Sequence, residues 1–265
     1  MPAEVCLEEQ FLLENTSTNA VNYDWDFCSY DNLQFVPQAQ ALESNNYGSP
    51  FHIKILENNG LFYGFVTGRT TNKIYRLDFG ENPKNTPIYN DLGGISILNN
   101  PSGIDIKKIG ENWYGLVTGY ASNKLYLLEF GTSLEATPNI TDISNSLNLN
   151  LPMDVKIVVD SDNIFAFIIN NASGEYPYLR LNFGTDITSA PLIDEFVVSG
   201  ANTLTSIDIK KENNDWYGFL VSRSNQRLYR VNFGTSISNS PTYTDVSTPA
   251  GISMNDPGGL KMVKD

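Results

Sequence analysis

Residues Leu61–Gly80 read LFYGFVTGRTTNKIYRLDFG, and Asn112–Gly131 read NWYGLVTGYASNKLYLLEFG. The two stretches agree at 11 of 20 positions without a gap. The pattern returns at Asp215–Gly234 as DWYGFLVSRSNQRLYRVNFG. A degraded copy, NIFAFIINNASGEYPYLRLNFG, occupies Asn163–Gly184 and is two residues longer in its central turn. Phe11–Cys28, FLLENTSTNAVNYDWDFC, aligns with the same pattern and supplies a fifth copy. The closing phenylalanines are then Phe27, Phe79, Phe130, Phe183 and Phe233, at intervals of 50 to 53 residues. Self-similarity at a fixed period is the signature of a repeat architecture.

Working outward, each repeat resolves into four short strands. The first strands are 51–55 (FHIKI), 104–108 (IDIKK), 153–157 (MDVKI) and 207–211 (IDIKK). The second strand carries an aromatic-Tyr-Gly motif. In the third, Tyr75, Leu77 and Phe79, Tyr126, Leu128 and Phe130, and Tyr229, Val231 and Phe233 alternate. Alternation at period two points such side chains to one face of a sheet. The fourth strand follows Pro87, Pro138, Pro191 or Pro241. Proline suits the start of an outer strand, where no ladder hydrogen bond is lost. Four-stranded units at this period are propeller blades. The N-terminal repeat lacks a first strand, and Gly258–Asp265, GGLKMVKD, matches one. The expected fold is therefore one all-β domain over residues 1–265: a five-bladed β-propeller of about 51 residues per repeat, closed by the C-terminal strand joining the N-terminal blade. Such closure removes exposed strand edges.

The 265 residues are 41% hydrophobic, 12% aromatic and only 18% charged, and the formal net charge is −13. With no run of Lys or Arg, an anionic backbone is repelled, which argues against nucleic acid. No apolar stretch is long enough for a membrane helix. The start Met1-Pro2-Ala3-Glu4 lacks the basic and apolar segments of a signal peptide; it is expected of a monomeric module cut from a larger chain. Of the two cysteines, Cys6 and Cys28 are either isolated small residues or one disulfide in an oxidising compartment.

The N-terminal motifs FLLENTS and NYDWDF resemble PKD domains, immunoglobulin-like modules of surface proteins. Cys28 stands where that family has glycine, and the next repeat follows too soon for a whole sandwich. The combination is similar to the β-propeller modules of large PKD-containing surface proteins of Bacteroidota. That resemblance implies export to an extracellular or cell-surface location.

The chemistry-bearing residues are few. His52 is the one histidine, which excludes a multi-histidine metal site; no metal or cofactor is expected. The turn Asp160-Ser161-Asp162-Asn163 has oxygen ligands suited to calcium, but Asp and Asn are also ordinary turn formers. Asp105, Asp154 and Asp208 occupy one repeat position, with Lys107, Lys156 and Lys210 two residues later. His52 with Lys54, and Lys261 in the closing strand, take the corresponding places. These nine side chains are expected to line the central channel as neutralised pairs. Five-bladed glycosidases set their acids at non-equivalent positions, and a nearby lysine opposes the raised pKa of a general acid. The expectation is no catalysis. The loop face offers Tyr47, Arg69, Asn72, Lys73, Asn100, Tyr120, Asn123, Lys124 and Asn225 for a protein or glycan partner. Two readings stand: a non-catalytic extracellular docking or scaffolding module, and a multivalent carbohydrate-binding, lectin-like adhesion module with inter-blade pockets.

Overall fold

A computed structural model describes residues 47–94, 96–171, 178–248, 251 and 254–262. The chain divides into two compact units, Met1–Glu43 and Ser44–Asp265, and the described residues all lie in the second. They form sixteen strands in four antiparallel sheets, with no helix among them. One blade comprises β1 (Pro50–Asn58), β2 (Leu61–Gly68), β3 (Lys73–Gly80) and β4 (Ile88–Asp91). The next holds β5 (Pro101–Ile109), β6 (Asn112–Gly119), β7 (Lys124–Gly131) and β8 (Asn139–Asp142). A third holds β9 (Pro152–Asp160), β10 (Asn163–Asn170), β11 (Tyr178–Asn182) and β12 (Leu192–Phe196). The last holds β13 (Leu204–Glu212), β14 (Asp215–Ser222), β15 (Arg227–Gly234) and β16 (Thr242–Asp245).

Each sheet runs in chain order from inner to outer strand, so the all-β propeller architecture read from the repeat is present. Four blades are described, not five. They correspond to the second to fifth repeats; the N-terminal repeat, with Cys6 and Cys28, falls outside the described residues.

The repeat fixes more than strand positions. The pairings Tyr75↔Asp91, Tyr126↔Asp142 and Tyr229↔Asp245 recur in three blades. The aromatic-Tyr motif coincides with a register shift at Phe62/Tyr63, Trp113/Tyr114 and Trp216/Tyr217. A bulge of this kind bends the strand and increases its twist. The Phe-Gly that ends each third strand places Gly80, Gly131, Gly184 and Gly234 at φ of 64 to 68°, a conformation that costs glycine least. Each short fourth strand begins directly after its proline.

The core lies between blades. Phe65 and Ile74 pack with Ile104, Ile106 and Phe130 of the next blade. Leu116 and Leu125 join Ile157, Ile168 and Phe183, and Phe167 and Tyr178 join Ile207, Val231 and Phe233. Each such side chain contributes about 1.5–3 kcal/mol by burial.

Inner strands neighbour one another in the order β1, β5, β9, β13. Their edges are stitched by buried hydroxyls. Thr67 Oγ1 donates to Ser102 O at 2.7 Å, and Ser102 Oγ donates to Pro152 O at 2.7 Å. Gly103 sits so near β9 that a Cβ there would lie 2.5 Å from Asp154 Cα. Outer regions are clamped by Arg76, which donates to Leu134 O at 2.9 Å while pairing with Asp78. Arg180 repeats the device on Ile237 O and Asn239 O, paired with Asp194.

Two flanks of this assembly differ from the rest. On β1, Ile53 and Ile55 are 47% and 53% exposed, whereas their counterparts Ile104, Ile106, Ile207 and Ile209 are at most 3% exposed. At the other end, 254–262 carries no strand, a departure from the expected inner strand. It nevertheless lies against β13: Thr205 Oγ1 donates to Pro257 O at 3.2 Å, and Met262 N donates to Asp208 Oδ2 at 2.9 Å.

Candidate functional site

Period-two spacing turns one position of every inner strand toward the axis, and these positions are polar. His52, Lys54, Asp105, Asp154, Lys156, Asp208 and Lys261 line an axial cavity of about 380 Å³. The three aspartates are buried, with exposures of 4%, 5% and 1%. A buried carboxylate must at least be hydrogen-bonded, and each one is. Asp105 Oδ2 accepts from Ile157 N of the following blade at 2.8 Å. Asp154 Oδ2 accepts from Ile207 N at 3.1 Å and from Ser206 Oγ at 2.7 Å. Asp208 Oδ2 accepts from Met262 N.

The cations differ from expectation. Side-by-side pairs along one strand (Asp105 with Lys107, Asp154 with Lys156, Asp208 with Lys210) are not what forms. The pairs run between blades instead: Lys54 Nζ lies 2.5 Å from Asp105 Oδ1, and Lys156 Nζ lies 2.6 Å from Asp208 Oδ1. Lys261 approaches Asp208 to 3.9 Å. Asp154 has no lysine or arginine within 4.0 Å among the described residues; His52 Nδ1 faces its Oδ1 at 3.5 Å.

Burial alone favours the neutral form of both Asp208 and Lys156. For Asp208, Lys156 and the Met262 N–H outweigh that penalty and hold the carboxyl below its ordinary 3.8. For Lys156, Asp105 and Asp208 outweigh it and raise the amine. Lys261 goes the other way, lowered first by burial and then by Lys156.

A second cavity of about 440 Å³ opens toward the loops and shares the His52–Asp154 wall. Phe51, Met153, Arg223 and Gly258 are among its other walls. Arg69, offered by the sequence as a ligand group, lies between two rings, 4.4 Å from the Phe51 centroid and 4.5 Å from that of Tyr120. Its Nε donates to Asn100 Oδ1 at 2.8 Å.

Other loop residues named from the sequence are engaged within the protein. Asn72 Oδ1 accepts from Asn100 N, and Asn123 Oδ1 accepts from Leu151 N, each at 2.8 Å. Lys73 and Lys124 pair with Asp91 and Asp142 at 2.5 Å. Asn225 Nδ2 donates to Gly200 O and Tyr229 Oη. Tyr47 packs edge-on against Tyr75 and Tyr89. At the turn considered for calcium, Asp160 Oδ2 accepts from Ile237 N at 3.0 Å and Ser236 Oγ at 3.1 Å. Among the described residues no cluster of three or more His, Cys, Asp or Glu side chains suits a metal.

No family model matches the sequence, and no curated protein matches it. Solved structures do. The catalytic domain of a family-62 α-L-arabinofuranosidase from Coprinopsis cinerea aligns with TM-score 0.59 at 9% identity, covering 82% of this chain and 74% of that one. An α-L-arabinofuranosidase from Podospora anserina, solved with cellotriose, aligns with TM-score 0.55 at 9% identity over 78% and 70%. A thermostable family-43 glycoside hydrolase aligns with TM-score 0.52 at 11% identity over 80% and 77%. At these identities the likeness is one of fold.

These neighbours correct two expectations. Solved propellers that this chain resembles include catalytic glycoside-hydrolase domains, which overturns the expectations of a non-catalytic docking or lectin-like adhesion module and of no enzyme. The argument from repeated acids fails for a structural reason. The strand registers show that the three aspartates are not one repeat position: Lys54, Asp105, Lys156 and Asp208 occupy the same place opposite Phe65, Leu116, Phe167 and Phe219, whereas Asp154 lies two residues earlier, at the place of His52.

The depressed Asp208 predicts the acid limb of stability. Its contribution is complete above the unfolded value near 3.8 and is lost as pH falls through the lower folded value. Urea unfolding should therefore weaken progressively below about pH 4, with a shallower slope in Asp208→Asn; identical slopes in the two proteins would contradict the assignment.

Proposed function

We propose that the protein is carbohydrate-active and hydrolyses a glycosidic bond at the wall between the axial cavity and the loop-side cavity. The observation that carries this reading is the environment of Asp154. It is the inner-strand carboxylate without a lysine or arginine partner among the described residues, and it borders both cavities. Hydrolysis adds water across the C–O bond, so one group must take a proton from water and another must protonate the leaving oxygen. Asp154 suits the first role. His52, 3.5 Å from Asp154, is closer than the roughly 5–9.5 Å that separates the two groups flanking a glycosidic bond, and it is suited to positioning that carboxylate. Asp105 and Asp208, bound to Lys54 and Lys156, hold the axis together. Phe51 and Tyr120, stacked on Arg69, give the loop side an apolar rim of the kind on which a sugar ring packs.

The substrate class follows from the structural neighbours, whose names specify arabinofuranosidases and a complex with xylose. A substituted polysaccharide of that kind fits an extracellular site of action; among the described residues no helix is long and apolar enough to cross a membrane. The expected outcome is release of 4-nitrophenol from an α-L-arabinofuranoside or β-xyloside. Asp154→Asn should lower kcat/KM by about 10²-fold or more with an unchanged circular dichroism spectrum. Inert wild-type protein on both glycosides and on arabinoxylan would overturn the reading.

The frame we propose for this site is a five-bladed ring, of which four blades lie among the described residues. The exposed apolar face of β1 and the seating of 257–262 against β13 support it. Deleting Leu260–Asp265 should then lower Tm by several degrees, since a loss of 1 kcal/mol shifts Tm by about 2–4 °C in a chain of this size. An unchanged Tm would refute closure by this segment.

A further inference from the structure

Past the ring of aspartates the axis changes sign. Lys54, Lys107, Lys108, Lys156 and Lys210 line a third cavity of about 360 Å³, and Asp105 is the one acid among its walls. Two of the five cations are neutralised across blades: Lys54 by Asp105 and Lys156 by Asp208. Lys108 approaches Glu111 at 3.6 Å on the exposed rim. Lys107 and Lys210, both half-buried, have no carboxylate within 4.0 Å among the described residues. In a protein of formal charge −13, such a concentration of unmatched positive charge is local and specific.

A second, independent feature lies in the same cavity. Trp113 lines it and is only 6% exposed, yet its indole N–H has no hydrogen-bond acceptor among the described residues. An unsatisfied buried donor costs about 1–3 kcal/mol. Lys107, Lys210 and Trp113 therefore line one cavity, and all three carry donors without an acceptor among the described residues.

We propose that this cavity binds a small oxyanion, held by Lys107 and Lys210 with the Trp113 N–H as an added donor. The ligand chemistry is a sulfate, phosphate or carboxylate group, free in solution or carried on an acidic sugar. The site is separate from the Asp154 wall and does not depend on the assignment of glycoside hydrolysis. Burial lowers the Lys107 pKa, and the like charges of Lys156 and Lys54 lower it further against the opposing pull of Asp105; a bound anion relieves all three influences.

The test is thermal unfolding of the full chain at constant ionic strength, with sodium chloride exchanged for sodium sulfate, phosphate or glucuronate. Saturable stabilisation is expected, with a rise in Tm of a few degrees at ligand concentrations about 100 times Kd. Stabilisation by sulfate or phosphate alone identifies a free anion, and stabilisation by glucuronate but not glucose identifies an acidic sugar. The double variant Lys107→Gln/Lys210→Gln should be at least as stable as the wild type in chloride and should lose the anion-dependent rise. Equal Tm in all salts, or a rise that persists in the double variant, would overturn the proposal. Tryptophan fluorescence, with Trp113 and Trp216 both on the cavity wall, gives a second readout that a general salt effect on stability would not move in a saturable, variant-sensitive way.

Discussion

A carboxylate buried on a propeller axis has to be matched, and that requirement organises this molecule. Asp105, Asp154 and Asp208 each accept a backbone N–H from the chain segment that follows in the ring. Two of them also bind a lysine contributed by another blade. One side chain therefore joins three elements: its own strand, the edge of the neighbouring strand and a cation from elsewhere on the axis. Breaking such a buried pair is costly, about 3–5 kcal/mol, because a charge is left unmatched. The apolar packing between blades supplies most of the favourable free energy of folding, but it is non-directional. The aspartates supply the direction.

The same requirement explains how a repeated structure acquires a distinct site. If every blade carried Asp and Lys, the axis would be a uniform ring of pairs. Lys54 and Lys156 stand at the position that Asp105 and Asp208 hold in the alternate blades, so cation meets carboxylate across the axis, while Asp154, two residues earlier on its strand, faces His52. Farther along the axis, Lys107 and Lys210 stand where β1 and β9 carry Leu56 and Val158, and among the described residues neither has a carboxylate within 4.0 Å. Both departures lie on one line through the centre, with the acid-rich region toward the loops and the lysine-rich region toward the opposite end. The loops contribute less freely than their composition suggests. Asn72 and Asn123, at φ of 56° and 54°, use their amides to fix the connection entering the next blade.

Strand positions were legible because they depend on local signals: period-two alternation, a glycine at a left-handed turn, a proline before an outer strand. The propeller class was legible because those signals recur at a constant interval. The ion pairs were not. Spacing of two residues placed Lys107 beside Asp105, whereas the structure joins Asp105 to Lys54, 51 positions away. Arg76 and Arg180 carried no recognisable motif, yet they clamp loops 58 and 57 residues distant. Residues within one strand announce themselves through periodicity, while partners on adjoining blades depend on how far each sheet is rotated about the axis. Asp154 was read as one copy of three, whereas its register and its surroundings set it apart from Asp105 and Asp208.

The account rests on coupling across the axis, and a double-mutant cycle on Lys156 and Asp208 measures it most directly. Urea unfolding of the wild type, Lys156→Met, Asp208→Asn and the double variant gives the interaction free energy. The account predicts strong coupling, about 1–3 kcal/mol, with the double variant more stable than the Lys156→Met protein, in which the carboxylate stays buried without its lysine. Additive losses, with coupling within about 0.5 kcal/mol of zero, would contradict the claim that charge pairing between blades holds the axis.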